Sequence, residues 1–362
     1  MTISQFESKF PDEESAINYF IQIRYDGILT CPYCSANNKV YRYRQVKKLC
    51  HCKNCNNSFS PFKDTIFEKS TTDLRKWFSA IRLFLNDRKG ISSLHLQREI
   101  GVTQKTAWRM LHKIREAMGD NAMRSAFTKV VEMDETYVGG KPKWYSIPSK
   151  GVDPSLLDSL DDDSPAIEPL PAVPIKAPPI IKRGRGTDKT PVVGIKERDS
   201  GRVYAQIMLP DESGKKLSGR QLLDVIEKVC LGGTTVITDD YSGYKILDKM
   251  ASPKVDISIL DGILEGYERY VPPAPYGHHT VCHKRKEYVA GWRDGILIHT
   301  NGIESHWALF KRGYHGTYHS MSVKYMQRYL DEFSFRQNTL KLPSLEVFDL
   351  LLKQSILRRS TF

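Results

Sequence analysis

Four cysteines set the strongest constraint on this chain. CPYC at Cys31–Cys34 and CKNC at Cys52–Cys55 form a C-x2-C-x17-C-x2-C pattern. Two such knuckles can hold four thiolates tetrahedrally around Zn²⁺, and a segment this short has too little apolar core to fold without that staple. Cys31, Cys34, Cys52 and Cys55 are therefore the expected ligands, with Cys50 or His51 as substitutes for Cys52. Only Cys230 and Cys282 fall outside the segment. Seven cysteines so placed in 362 residues exclude a disulfide scaffold. The basic and aromatic residues between the knuckles (Tyr41, Arg42, Tyr43, Arg44, Lys47, Lys48) suit a nucleic-acid surface, and equally a solvated basic hairpin.

The charge balance points the same way. Fifty-four Lys and Arg against 42 Asp and Glu leave a net charge of +12, which favours a polyanionic partner. The N-terminus lacks an apolar signal region, and no apolar run reaches the length of a membrane span, so a soluble, cytoplasmic protein without membrane contact is expected.

Around the knuckles the apolar spacing is helical. Pro11 and Asp12 open a short helix with Ile17, Phe20 and Ile21 inward. A second follows Thr71, Thr72 or Asp73 as N-cap and buries Leu74, Trp77, Phe78, Ile81 and Leu85. The stretch from Lys89 to Met118 has the outline of a helix-turn-helix. Its first helix begins near Ser92 or Ser93, Gly101 makes the turn and Thr103 caps the second helix. Ala107, Leu111, Ile114 and Met118 are predicted to be buried there. Gln104, Lys105, Arg109, His112 and Lys113 are predicted to face outward, and such side chains read base edges and phosphates in a major groove.

From Lys129 the pattern changes to a strand, with Glu132, Asp134 and Thr136 on one face and Val131, Met133 and Glu135 on the other. Eight of the nineteen prolines fall between Pro148 and Pro179, and residues 151 to 170 hold six acids and no base, so this stretch reads as an insertion loop. A hairpin turning at Asp199, Ser200 and Gly201 follows, then a helix, a buried strand ending in Asp239 and Asp240, and a second helix. Residues 300 to 312 and 322 to 338 form two more helices. The order suits an α/β layer fold with a mixed sheet. A carboxylate in a central strand is costly unless paired or metal-bound. Asp134, Asp239 and an acid from the helix carrying Asn301, Glu304 and Lys311 would make an oxygen-rich Mg²⁺ site. His278, His279, Cys282 and His283 form a competing, weaker metal-site candidate.

With CPYC and CKNC, GVTQKTAWRMLHKIREAM, VEMDETYVGGK, KRGRG, VITDDYSGY, HTNGIESHWALFKRGYHGTYHS and KYMQRYLDEFSFRQN in place, the chain resembles the bacterial insertion-sequence transposases of the DDE type. Within them it is similar to the group that joins a zinc ribbon and a helix-turn-helix to an RNase H-like, integrase-like catalytic domain. The resemblance implies residues 1–68 as N-terminal helix and ribbon, 69–125 as helix-turn-helix module and 126–345 as catalytic domain. An insertion at about 144–182 and a tail at 346–362 complete the division. It implies Asp134, Asp239 and Glu304 as the acids, with Asn301 as an alternative to Glu304, holding two Mg²⁺ or Mn²⁺ beside one structural Zn²⁺. Lys311 and Arg312 would contact DNA. His283 and His299 fall on recurring histidines of the family. The implied activity is binding of terminal inverted repeats, then strand cleavage and strand transfer on double-stranded DNA by a dimer or larger homo-oligomer at the nucleoid, with no covalent enzyme intermediate. A DNA-binding regulator without catalysis and an RNase H-like structure-selective nuclease are the alternatives.

Overall fold

A computed structural model describes residues 1–43, 48–119, 126–139, 187, 189–212, 214, 215, 217–250, 276–282, 285 and 287–357. The proline-rich insertion, the KRGRG segment, Arg44, Lys47 and His283 lie outside these.

The N-terminal half is helical around a small ribbon. Helix α1 (Ile3–Lys9) starts at a capping box between Thr2 and Gln5, a signal present in the sequence that the apolar pattern did not reveal. Helix α2 (Glu13–Tyr25) is capped by Asp12 and buries Ala16, Ile17, Phe20 and Ile21. Strands β1 (Val40–Arg42), β2 (Cys50–Cys52) and β3 (Ser58–Phe59) form the antiparallel ribbon. Helix α3 (Leu74–Asn86) is capped by Asp73. Helices α4 (Ser93–Ile100) and α5 (Gln104–Met118) meet at Gly101, whose φ of 62° is the left-handed conformation that stops α4, and Thr103 caps α5.

The second half is a five-stranded sheet in the order β6-β5-β4-β7-β8. Strands β4 (Val130–Val138), β5 (Thr190–Glu197) and β6 (Val203–Ile207) form an antiparallel meander. Helix α6 (Gly219–Val229) then crosses to β7 (Thr234–Asp239), which runs parallel to β4. Helix α7 (Lys245–Met250) precedes β8 (Tyr276–Val281), parallel to β7. Three antiparallel strands continued by two parallel ones give the mixed α/β sheet expected of an RNase H-like domain. A hairpin of β9 (Trp292–Arg293) and β10 (Ile296–Leu297) leads to α8 (Asn301–Gly313), and α9 (Val323–Asn338) and α10 (Ser344–Leu357) follow.

The sheet is covered on both sides. Val131, Met133, Val193, Ile195 and Val236 face α6 and α7 in one apolar cluster. Val138, Val192, Val203 and Ala205 face α8 and α9 in another. Gly194 on β5 has a specific use here. A Cβ at Gly194 would meet the Trp307 ring at 2.5 Å, so its bare backbone is what lets α8 settle over β4 and β5. One expectation is corrected. Residues 346–357, expected to belong to a tail, fold into α10, and Val347, Phe348, Leu351 and Leu352 sit in the N-terminal core beside Phe10, Phe78 and Ile81. That core is incomplete without them, because the faces of α2, α3 and α5 leave an apolar gap that α10 fills.

Candidate functional site

The register of β4 and β7 builds the acidic site. Glu132 lies opposite Ile237, so two residues further on Asp134 and Asp239 come side by side on the face toward α8. Oxygens of Asp134, Asp239 and Glu135 all lie within 4.8 Å of one another. Glu135 keeps the face of Val131 and Met133, as the alternation predicts, beside Tyr244 of the same apolar cluster, yet its carboxylate reaches the group. Paired β4 and β7 residues end at Glu132 while β4 continues along β5 to Val138, so Glu135 stands at an open edge where its carboxylate can turn toward Asp239. The buried Tyr244 hydroxyl donates to Glu135 Oε2 at 3.0 Å and holds it there.

Glu304 lies in the first turn of α8. It is not within that three-carboxylate group, although its charge reaches Asp134. The Thr300 hydroxyl donates to Glu304 Oε1 at 3.1 Å. Asn301 is exposed at the start of the helix, and Lys311 and Arg312 are exposed two turns beyond Glu304. Burial, then the negative charges of Glu135 and Asp239, push the Asp134 carboxyl up to about 8. Crowded carboxylates with oxygen donors only are what a hard divalent cation relieves, so the donor set fits Mg²⁺ or Mn²⁺.

At the ribbon, Cys31, Cys34, Cys52 and Cys55 offer sulfurs within 4.8 Å of one another, with Cys31–Cys55 and Cys34–Cys52 at 3.6 Å. A tetrahedral Zn²⁺ site with bonds near 2.3 Å needs sulfurs about 3.8 Å apart, so the cluster has the dimensions of a structural zinc site. Ser35 and Asn56, each one residue past a knuckle, take left-handed φ of 58° and 56°. The backbone N–H of Ala36 and the Asn54 amide hold the Cys34 thiol down at about 6. Cys50 and His51 are not in the cluster; Cys50 is buried beside it, and His51 bonds to Ser58.

Several basic residues expected to face solvent are engaged within the chain. Arg42 pairs with Glu14, and Lys48 Nζ donates to the Ser70 and Thr72 carbonyls at 3.3 and 2.6 Å. These contacts dock the ribbon on α2 and on the segment before α3. On α5, Gln104, Lys105 and Arg109 are exposed. His112 is corrected: it is 1% exposed and packed against Trp108, Tyr325 and Tyr329, because α9 covers that side of the helix. Lys113 is half-buried and donates to the Ile66 carbonyl at 2.9 Å. The second cluster of histidines disperses. His278 bonds to Asp248 and Thr238, His279 nears Asp294, and Cys282 donates to Asp240, and none of these three joins a metal grouping among the described residues.

Two family models match parts of the chain. Residues 11–58 match the transposase zinc-ribbon domain and residues 269–338 the ISXO2-like transposase domain. A protein in the transposable element ISH50 of Halobacterium salinarum is 27% identical over 351 residues, covering 96% of this chain and 98% of the relative. Among solved structures, the Mos1 strand transfer complex overlaps 79% of this chain and 78% of its own, at 12% identity and a TM-score of 0.25. A pre-cleavage Mos1 transpososome does so at 10% identity and a TM-score of 0.23, covering 79% of each chain. No helix among the described residues is long and apolar enough to cross a membrane.

Proposed function

We propose that this chain, which its two domain matches and its ISH50 relative group with the insertion-sequence transposases that carry an N-terminal zinc ribbon, binds the terminal inverted repeats of its element and cuts and joins DNA strands there. The observation that carries this reading is the alignment of Asp134 with Asp239 on neighbouring parallel strands, with Glu135 beside them and Glu304 presented by α8. Asp134, Asp239 and Glu304 would hold two Mg²⁺ or Mn²⁺, and Glu135 or Asn301 would complete the set. Bound there, the ions supply an activated water or 3′-hydroxyl and stabilise the leaving oxygen of an in-line displacement.

The chain's own groups position the substrate. Lys311 and Arg312 hold the phosphodiester backbone beside the acids, and Lys105, Arg109 and Gln104 hold the repeat. We assign residues 1–68 to the ribbon module, 69–125 to the helix-turn-helix and 126–345 to catalysis, with α10 returning to the first core. Synapsis of two ends requires a homo-oligomer on double-stranded DNA. The test is incubation of the protein with end-containing duplex, a target plasmid and Mg²⁺. Nicked ends joined to the plasmid are expected; nicks without joining make the chain a structure-selective nuclease, and binding alone makes it a regulator.

A further inference from the structure

The start of α8 is capped by a strand. Its N-cap residue, Thr300, makes no capping hydrogen bond, because its hydroxyl is turned to Glu304. The first-turn amides of a helix have no intrahelical acceptor. Here Ile303 N–H, in that turn, donates to Glu132 Oε2 on β4 at 3.0 Å. Glu132 is 2% exposed, and a carboxylate at this end also opposes the helix dipole favourably. Its other oxygen accepts from Arg198 Nε at 2.8 Å, and the same guanidinium donates to the carbonyls of Leu297 and His299, the segment entering α8. Lys196 Nζ donates to the Gly302 carbonyl at 3.1 Å. A Cβ on Gly302 would stand 2.7 Å from Glu132 Oε2, so the helix start is seated directly on the carboxylate.

We propose that Glu132, locked by Arg198, is a positioning residue. It caps α8 from the strand that carries Asp134, while the Thr300 hydroxyl orients Glu304, and the helix acid is fixed relative to the strand acids. This rests on the reading of Glu304 as a metal-site acid. Gln in its place cannot serve, because one of its two terminal atoms is a donor facing either Arg198 or the Ile303 amide.

The experiment compares wild type with Glu132→Gln and Gly302→Ala, measuring Mn²⁺ affinity by electron paramagnetic resonance, amide exchange at Ile303, melting temperature and end binding. Both variants are expected to weaken Mn²⁺ binding by roughly 10- to 100-fold, as loss of groups that orient metal ligands does. Amide exchange at Ile303 should be faster in Glu132→Gln, and end binding unchanged in both. Gly302→Ala keeps every charge and displaces only the helix start, so it decides the matter if Glu132→Gln fails to fold. Wild-type Mn²⁺ affinity in folded variants overturns the proposal. A wild-type chain that takes up no Mn²⁺ overturns the underlying site reading as well, and does so before any variant is compared.

Discussion

His112 on α5 and His306 on α8 lie in the interior, at 1% and 2% exposure. Burial pushes both imidazoles down to about 3; the charges of Arg115 and Arg328 add to the effect at His112, and that of Lys196 at His306. Both are therefore neutral in the folded chain and take up protons more readily when unfolded. Their contribution is complete above about pH 6.5 and is lost as pH falls toward 3. Each should cost about 2 kcal/mol by pH 5, at 1.36 kcal/mol per unit. Denaturant melts at pH 7.5 and 5.0 should show that loss, and His306→Phe should flatten it. The cysteines allow a sharper contrast. Cys52→Ser should lose the single zinc by atomic absorption, whereas Cys50→Ser, outside the sulfur cluster, should retain it.

At the level of elements, helix α5 divides into an exposed start and a buried end. Arg109→Ala and Lys105→Ala should weaken end binding and each reduce the salt slope of log K by about one, the mark of a lost phosphate contact. Salt titration of His112→Ala should leave the slope unchanged, since that ring packs under Tyr325. What the sequence revealed about these elements follows from the range of the forces involved. Caps at Asp12 and Thr103, the Gly101 turn and the hairpin at Gly201 are local and were legible, and Asp73 is the one the structure selects from three candidate caps. The alternation that put Asp134 on one face was legible too. That Glu135 reaches the acidic group was not, because it depends on where the β4–β7 pairing ends. Nor was the burial of His112, which depends on α9, more than two hundred residues away in the chain. Glu132 read as a costly strand acid, and its partner Arg198 became visible only in three dimensions.

At the scale of the whole molecule the two halves are joined by buried charge. Glu332 on α9 is fully buried and accepts from Arg115 of α5 at 2.7 Å, from Arg336 at 2.8 Å and from the Tyr318 hydroxyl at 2.7 Å. Burial alone would raise its carboxyl, but the two guanidinium charges outweigh that and hold it below the ordinary range. Arg336 also reaches the Phe84 carbonyl on α3 at 2.7 Å. Glu332→Gln leaves Arg115 buried without a countercharge and should destabilise the chain by about 3–5 kcal/mol in urea unfolding. Helices α3 and α5 are thus tied through α9 to the sheet that carries the acidic site.

Assignment of Asp134 to a metal-dependent DNA-cutting site is checked by Asp134→Asn on an end-containing duplex with Mg²⁺, with cleavage and binding read on the same DNA. Binding within about twofold of wild type, a difference of roughly 0.4 kcal/mol, and no detectable cleavage are expected. Cleavage at the wild-type rate would contradict the assignment.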